Sequence, residues 1–368
     1  MSFASQSDRF AGIDGVRAFA ILGVIAAHAH VSWLHGGGVG VDVFFGISGF
    51  LITYITIKEA QKFGRISLKR FWLRRLLRLM PALLALVIAV DVLAIFLGVI
   101  RGNSELAQSL PATPSVLLYF SNWMIVGTNS AYLGWFGPLW SLSVEEQFYL
   151  VWPLIMVLAF MTARPLRVLA IAASVLSVAA AAARFFTFDG SNLYRTFGTD
   201  FRVDMLLVGA LLAIALHAGK TSLISKASSA LVIPAILYLA AVAIFVPEFG
   251  SPDGEELERI YYTVGLPLVG IATVSVIGFL VTHQSNILTR ALAWKPIEYT
   301  GRISYGMYLW HYPITLGLRD YLDLSGNVLF LVALASTYIA AGLSWRFIET
   351  PLTARFHARL RPSAQHVS

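Results

Sequence analysis

The sequence predicts an all-α, polytopic membrane protein of about ten transmembrane helices, with a short re-entrant or interfacial helix and a basic amphipathic cytoplasmic helix. Three observations predict it. Of 368 residues, 57% are hydrophobic and 13% charged, about half the charged share that covers the surface of a soluble domain. The mean hydropathy is +0.73. Apolar runs recur at lengths near the roughly 20 residues that cross a bilayer.

The runs fall near 13–33, 40–57, 80–100, 145–162, 168–187, 203–218, 229–247, 261–282, 303–319 and 326–347. No internal repeat or linker divides them, so residues 1–352 are expected to form one membrane domain and 353–368 a basic cytoplasmic tail. Met1 to Phe10 lacks a basic region followed by a small-residue cleavage site and is expected to be retained. With the N-terminus in the cytoplasm, nineteen Lys and Arg fall in inner loops. Only Arg101, Arg195, Arg259 and Arg319 fall outside. That is the asymmetry of a multi-pass protein with both termini cytoplasmic. The acidic stretch from Glu248 to Glu258 then lies outside. The excess of 27 Lys and Arg over 20 Asp and Glu therefore reads as membrane orientation rather than nucleic-acid binding. The absence of cysteine leaves His, carboxylates and hydroxyls to carry any chemistry.

The first span places Asp14, Arg17, His28 and His30 in an otherwise apolar sequence, where ionisable groups face the bundle interior or a wet cavity. Arg17 and His28 are eleven residues apart, which on an α-helix leaves them about 20° apart in projection and roughly 16 Å apart in depth. They share a face, Arg17 near the cytoplasmic end and His28 in the outer half. In the second span Gly46, Ser48 and Gly49 read as small packing residues. Gly46-Ile47-Ser48-Gly49 lacks the final glycine of a nucleophile elbow.

The loop from Lys58 to Met80 contains SLKRFWLRRLLRLMP, a basic amphipathic helix expected to end into Pro81. Its plain role is lipid anchoring. Its functional role would be a phosphate cradle, because arginine pairs bidentately with phosphate oxygens. Pro114 to Val126 is too short to span and is expected to be re-entrant or interfacial. The fourth span opens with PLWSLSVEEQFYL, which puts Glu145 and Glu146 at the outer boundary, at the depth of His28, where a carboxylate could orient the imidazole. Asp42, Asp200, Arg202 and Asp204 belong to the outer side, and His311, near mid-membrane, is either a second functional residue or a hydrogen-bonding one.

Seven segments resemble the membrane acyltransferase-3 family of bacterial O-acyltransferases: GIDGVRAFAILGVIAAH, GVDVFFGISGFLIT, RFWLRRLLRLMP, PLWSLSVEEQFYL, FRVDMLLVG, ISYGMYLWHYP and WRFIETP. They occur in the family's order from Gly12 to Pro351. The resemblance implies a ten-helix bundle in which the pair Arg17 and His28 is essential for acyl transfer, in the stand-alone form without an extracytoplasmic domain. It implies transfer of an acyl group, most often acetyl, from cytoplasmic acyl-CoA to a hydroxyl of a glycan or lipo-oligosaccharide in the bacterial inner membrane.

The expected roles follow. His28 is the general base, with Glu145 or Glu146 supporting its protonated form, and transfer is either direct or by an acyl-histidine relay. Arg17, Arg74, Arg75 and Arg78 bind acyl-CoA. Asp42, Trp140, Arg202, Asp204 and His311 line the acceptor site. No metal is expected, and a homo-oligomer is compatible with the pattern. A transporter is the main alternative, because buried charges and a through-membrane cavity also describe carriers.

Overall fold

In the computed structural model, residues 10–101, 109–128, 133–187, 196–246 and 255–352 are described, and among them no strand occurs. The tail expected at 353–368 and most of the acidic stretch from Glu248 lie outside these residues.

The chain begins with α1 (Ile13–His28), α2 (Val39–Phe63) and α3 (Leu68–Arg101), followed by the short α4 (Ser109–Leu117) and α5 (Ser121–Thr128). Then come α6 (Trp140–Phe160), α7 (Pro165–Thr187), α8 (Thr199–His217) and α9 (Thr221–Phe245). After α10 (Glu255–Ile260) a π turn, Tyr261–Gly265, runs without a break into α11 (Leu266–Thr282). The short α12 (Ile287–Leu292) and α13 (Lys295–Arg302) precede α14 (Ser304–Leu322) and α15 (Gly326–Ser344).

Among the described residues, seven helical stretches are long and apolar enough to cross a bilayer. The expected spans that do not meet that measure are α1, α8 and α14, which carry Arg17, Arg202 and His311. At 16 residues α1 is too short for it, while α8 carries Asp200, Arg202 and Asp204 and α14 is too polar. All three are also buried. Ile21, Val24 and Ile25 of α1, Leu206 and Ala210 of α8, and Met307 and His311 of α14 are shielded from solvent and lipid alike. These helices are packed inside the bundle, so hydrocarbon does not select their side chains. The apolar windows of α7 and α9 are only 22% buried, and such helices face lipid.

Close helix approach is written into the second span. A side chain on Gly49 would strike the Leu206 carbonyl, and one on Gly209 would strike the Gly46 carbonyl, so α2 and α8 meet backbone to backbone. The turn His35–Gly38 packs in the same way, Gly37 against Gly23 of α1. Its glycines serve packing.

Two local expectations need correction. Pro81 does not end the basic helix: α3 runs through it from Leu68 to Arg101, so the basic turns and the third span are one rod. A membrane helix can carry a proline; Pro81 frees the Leu77 carbonyl, and two residues on the Tyr305 hydroxyl donates to the Leu79 carbonyl at 2.8 Å. The segment 114–126 is not one helix. It belongs to α4 and α5, which break at Tyr119, a non-glycine residue with φ of 55°. Neither piece can span.

Candidate functional site

A cavity opens between α1, α2, α3, α6 and α14, about 880 Å³ counting the solvent at its mouth, lined among others by Arg17, Ser48, Arg75, Arg78, Glu145 and Tyr305. Arg17 sits one turn into α1, 3.8 Å from Asp14 and 5.9 Å from the centre of the Phe44 ring. Arg75 and Arg78 are three apart on α3 and therefore on one face. Arg75 lies over the Tyr149 ring at 4.0 Å. Arg78 makes no side-chain hydrogen bond or ion pair with a described residue. Glu145 accepts from the hydroxyls of Ser48 and Tyr149. Three guanidiniums and one occupied carboxylate make a cavity suited to an anion, because guanidinium donors match phosphate oxygens in pairs.

Arg74 does not join them. It pairs with Glu59 at 2.8 Å, because it precedes Arg75 by one residue and so points about 100° away around the helix. Ser48, expected to pack, faces the cavity instead, while Gly46 and Gly49 carry the contact with α8.

The second centre is a pair of histidines. His311, fully buried on α14, places Nε2 3.1 Å from Nδ1 of His28, the last residue of α1. His311 Nδ1 lies 2.7 Å from the Tyr308 carbonyl. A carbonyl only accepts, so Nδ1 of His311 carries the proton and, in the neutral ring, Nε2 accepts from His28. His28 Nδ1, which also lies 3.0 Å from the Val24 carbonyl, is then the donor. The neutral His28 ring thus holds its basic lone pair on Nε2. The Tyr312 ring meets His28 edge-on, with centres 5.0 Å apart.

Two expectations bear on this pair. Glu145 and Glu146 do not orient His28. The helix that bears them begins at Trp140 after a tight turn, Gly134–Leu139. Glu145 therefore lies about 7.5 Å inside the helix, beside the arginines. Glu146 keeps a buried Oε1 with no hydrogen-bond partner. His311, expected either to line the acceptor site or to serve as a hydrogen-bonding residue, is the hydrogen-bond partner of His28.

Of the residues expected on the outer side, Asp42, Arg202 and Asp204 come together in a buried ionic network, while Asp200 is exposed. Asp42 pairs with Arg202 at 3.2 Å and Asp204 with Arg184 at 2.5 Å, all four side chains at most 4% exposed. Asp42 also accepts from the Tyr261 hydroxyl at 3.2 Å. Arg202 lies over the rings of Trp140 and Tyr262, 5.3 and 5.7 Å from their centres. Its Nε and Nη1 are buried without a hydrogen-bond partner. Arg184 donates to the Phe201 carbonyl and, at 2.7 Å, to that of Tyr262. The π turn supplies both tyrosines, and such turns often mark functional positions. Sequence reasoning passed over Arg184 although its signal was plain, a lone arginine in an alanine-rich span. It also passed over Tyr305 and Tyr308, whose aromatic character blends into the apolar run. Among the described residues no group of three or more metal-ligating side chains is assembled.

Comparison with known proteins adds to this geometry. A family model described as an acyltransferase domain matches residues 10–346. The O-acetyltransferase OatA of Staphylococcus aureus is 34% identical over 354 residues, 93% of this chain and 57% of that protein. The peptidoglycan O-acetyltransferase OatA of Listeria monocytogenes is 34% identical over 352 residues, 92% and 55% of the two chains. The putative peptidoglycan O-acetyltransferase YrhL of Bacillus subtilis is 33% identical over 358 residues, 93% and 54%. The chain thus spans little more than half the length of these relatives. No solved structure matches it.

Proposed function

From the premise that this chain belongs to the acyltransferase-3 family, we propose that it moves an acetyl group from acetyl-CoA to a hydroxyl of a cell-surface glycan. The relatives' names supply the acetyl group and, for two of them, a peptidoglycan acceptor. The observation that carries the reading lies on one helix. Arg17 opens onto an arginine-lined cavity, and His28, about 16 Å further along α1, carries a partner that fixes its tautomer.

The phosphates of the donor lie against Arg17, Arg75 and Arg78, and its extended arm carries the thioester past Tyr308 toward the histidines. His28 Nε2 takes the proton of the acceptor hydroxyl as the oxygen attacks the thioester carbonyl. The carbon–sulfur bond breaks, the thiolate takes the proton back from His28, and the products are free CoA and the O-acetyl ester. His311 acts through His28 and is a positioning residue: it accepts the Nδ1 proton and so keeps the lone pair on Nε2. Arg202, with Asp42, Asp204 and Trp140 around it, offers its two unpartnered donors to acceptor hydroxyl or carboxylate oxygens. The membrane is the bacterial inner membrane, with both termini cytoplasmic, so that donor and acceptor approach from opposite sides.

The test is acceptor-dependent release of CoA. Protein purified into nanodiscs is given acetyl-CoA with and without a soluble muropeptide, and free thiol is counted. Release only with acceptor, together with an O-acetylated product by mass spectrometry, is the expected result. Glycan flux across proteoliposomes without thiol release would replace the enzyme with a carrier.

A further inference from the structure

A second groove lies away from the arginine cavity and shares no lining residue with it. It is a wide, open groove of about 1380 Å³, counting the solvent at its mouth, among the ends of α2, α6, α7, α8 and α9. Phe160, Leu166 and Leu211 line its apolar wall, and Arg164, Arg167 and Lys220 stand at its rim. The three cations are exposed and make no side-chain hydrogen bond or ion pair with a described residue. Among the described residues no carboxylate lines the groove. Two long helices begin beside it, α7 at Pro165 and α9 at Thr221, and each brings the positive end of its dipole; α7 adds little beyond that, since Pro165 has no N–H and Arg167 and Val168 donate to the Arg164 carbonyl.

We propose that this groove seats an anionic phospholipid from the leaflet on the side of the basic loops. The phosphate rests on Arg164, Arg167 and Lys220, and an acyl chain runs along Phe160, Leu166 and Leu211. Charge complementarity selects the sign of the ligand: three cations and two helix N-termini face the groove with no anion among them. The apolar wall selects a lipid over a free phosphate, because a free anion leaves that wall uncovered. The location agrees, since α7 and α9 are the helices whose apolar windows are 22% buried and so border lipid.

The full-length protein, purified in detergent, is titrated with phosphatidylglycerol or phosphatidylcholine, and retained lipid is read by native mass spectrometry. The wild type is expected to retain phosphatidylglycerol in preference to phosphatidylcholine. Arg164→Gln, Arg167→Gln and Lys220→Gln should each lower that retention about fivefold. The charge-keeping pair Arg164→Lys and Arg167→Lys should hold the lipid, which separates lost charge from lost structure. Equal phosphatidylglycerol retention in the wild type and the Gln variants overturns the proposal. So does displacement of the lipid by inorganic phosphate or by CoA, since either makes the groove a site for soluble anions.

Discussion

His28 and His311, 283 residues apart in sequence, meet through a hydrogen bond of 3.1 Å between Nδ1 of the first and Nε2 of the second. A carboxylate is the usual orienting partner of a basic histidine. Here a second imidazole takes that place, itself fixed by the Tyr308 carbonyl, and it does so without adding a negative charge beside the base.

The two histidines should therefore respond differently to the same change. His28→Ala and His28→Gln should both slow acyl transfer at least about 10²-fold with acyl-CoA binding intact, because neither replacement has a usable base. His311→Ala should also lower kcat while leaving the KM for acyl-CoA unchanged. His311→Gln should recover part of the loss, since its amide oxygen can accept the Nδ1 proton of His28. Equal inactivity of His311→Gln and His28→Gln would give His311 a chemical role of its own.

Donor affinity should depend on Arg75 and Arg78 and hardly on Arg74. The first two line the cavity, and replacing both by Gln should raise the KM for acyl-CoA and flatten its dependence on ionic strength. Arg74 is held by Glu59 at a half-exposed site, where an ion pair contributes about 0 to 1 kcal/mol. Arg74→Gln should leave both quantities near their wild-type values in steady-state assays.

How far the site was legible follows from the reach of each signal. Arg17 and His28 were legible because they are ionisable residues in one apolar helix, and helical geometry alone puts them on one face. The partner of His28 was not, because it comes from a helix far along the chain, and no spacing rule links the two. Glu145 was assigned to the wrong neighbour for a smaller reason: the helix starts five residues earlier than the apolar run, which moves the carboxylate from the rim to the arginines. In the GISG segment the three small residues look alike in sequence. Only packing separates Gly46 and Gly49, which meet α8, from Ser48, which turns to the cavity. The central helices were legible as spans by their position between loops, although the short length of α1 and the polar residues of α8 and α14 take them below the measure that finds lipid-facing helices.

The Arg184–Asp204 pair should be a stability determinant. Both side chains are buried, so removing one partner strands the other charge, at a cost of about 3 to 5 kcal/mol. Arg184→Met alone should lower the melting temperature in detergent sharply. Arg184→Met combined with Asp204→Leu should recover much of it, because a well-packed apolar pair of similar volume avoids the stranded charge. A double variant no more stable than the single would mean that the bonds from Arg184 to the Phe201 and Tyr262 carbonyls carry the effect.

Orientation is open to direct measurement. Reporter fusions at Lys62, Lys220 and Lys295 should report cytoplasm, and one at Gly127, in α5, the opposite side. A fusion at Lys220 that reports the outside would reverse the ten-span arrangement and move the lipid groove to the other leaflet.

The last prediction concerns Glu145, where charge separates two roles. If Glu145 supported a protonated His28, as its place in the sequence suggests, neutralising it would lower kcat and leave donor affinity alone. The structure puts it among the three arginines, hydrogen-bonded to Ser48 and Tyr149. There its negative charge opposes an anionic donor. At about 8 Å and an effective dielectric near 20, one such repulsion is worth roughly 2 kcal/mol before screening by the arginines. Glu145→Gln preserves the shape and can still accept from both hydroxyls. It should therefore tighten acyl-CoA binding severalfold, with the gain shrinking as salt is added. Glu145→Ala removes the acceptor as well and should lower thermal stability by about 1 to 3 kcal/mol, because the Ser48 and Tyr149 hydroxyls lose their partner. Isothermal titration of both variants with acetyl-CoA, at low and high salt, reads the two effects separately. A Gln variant that binds acetyl-CoA more weakly than wild type would mean that the carboxylate orders Arg75 and Arg78 for the donor, and that its geometry outweighs its charge.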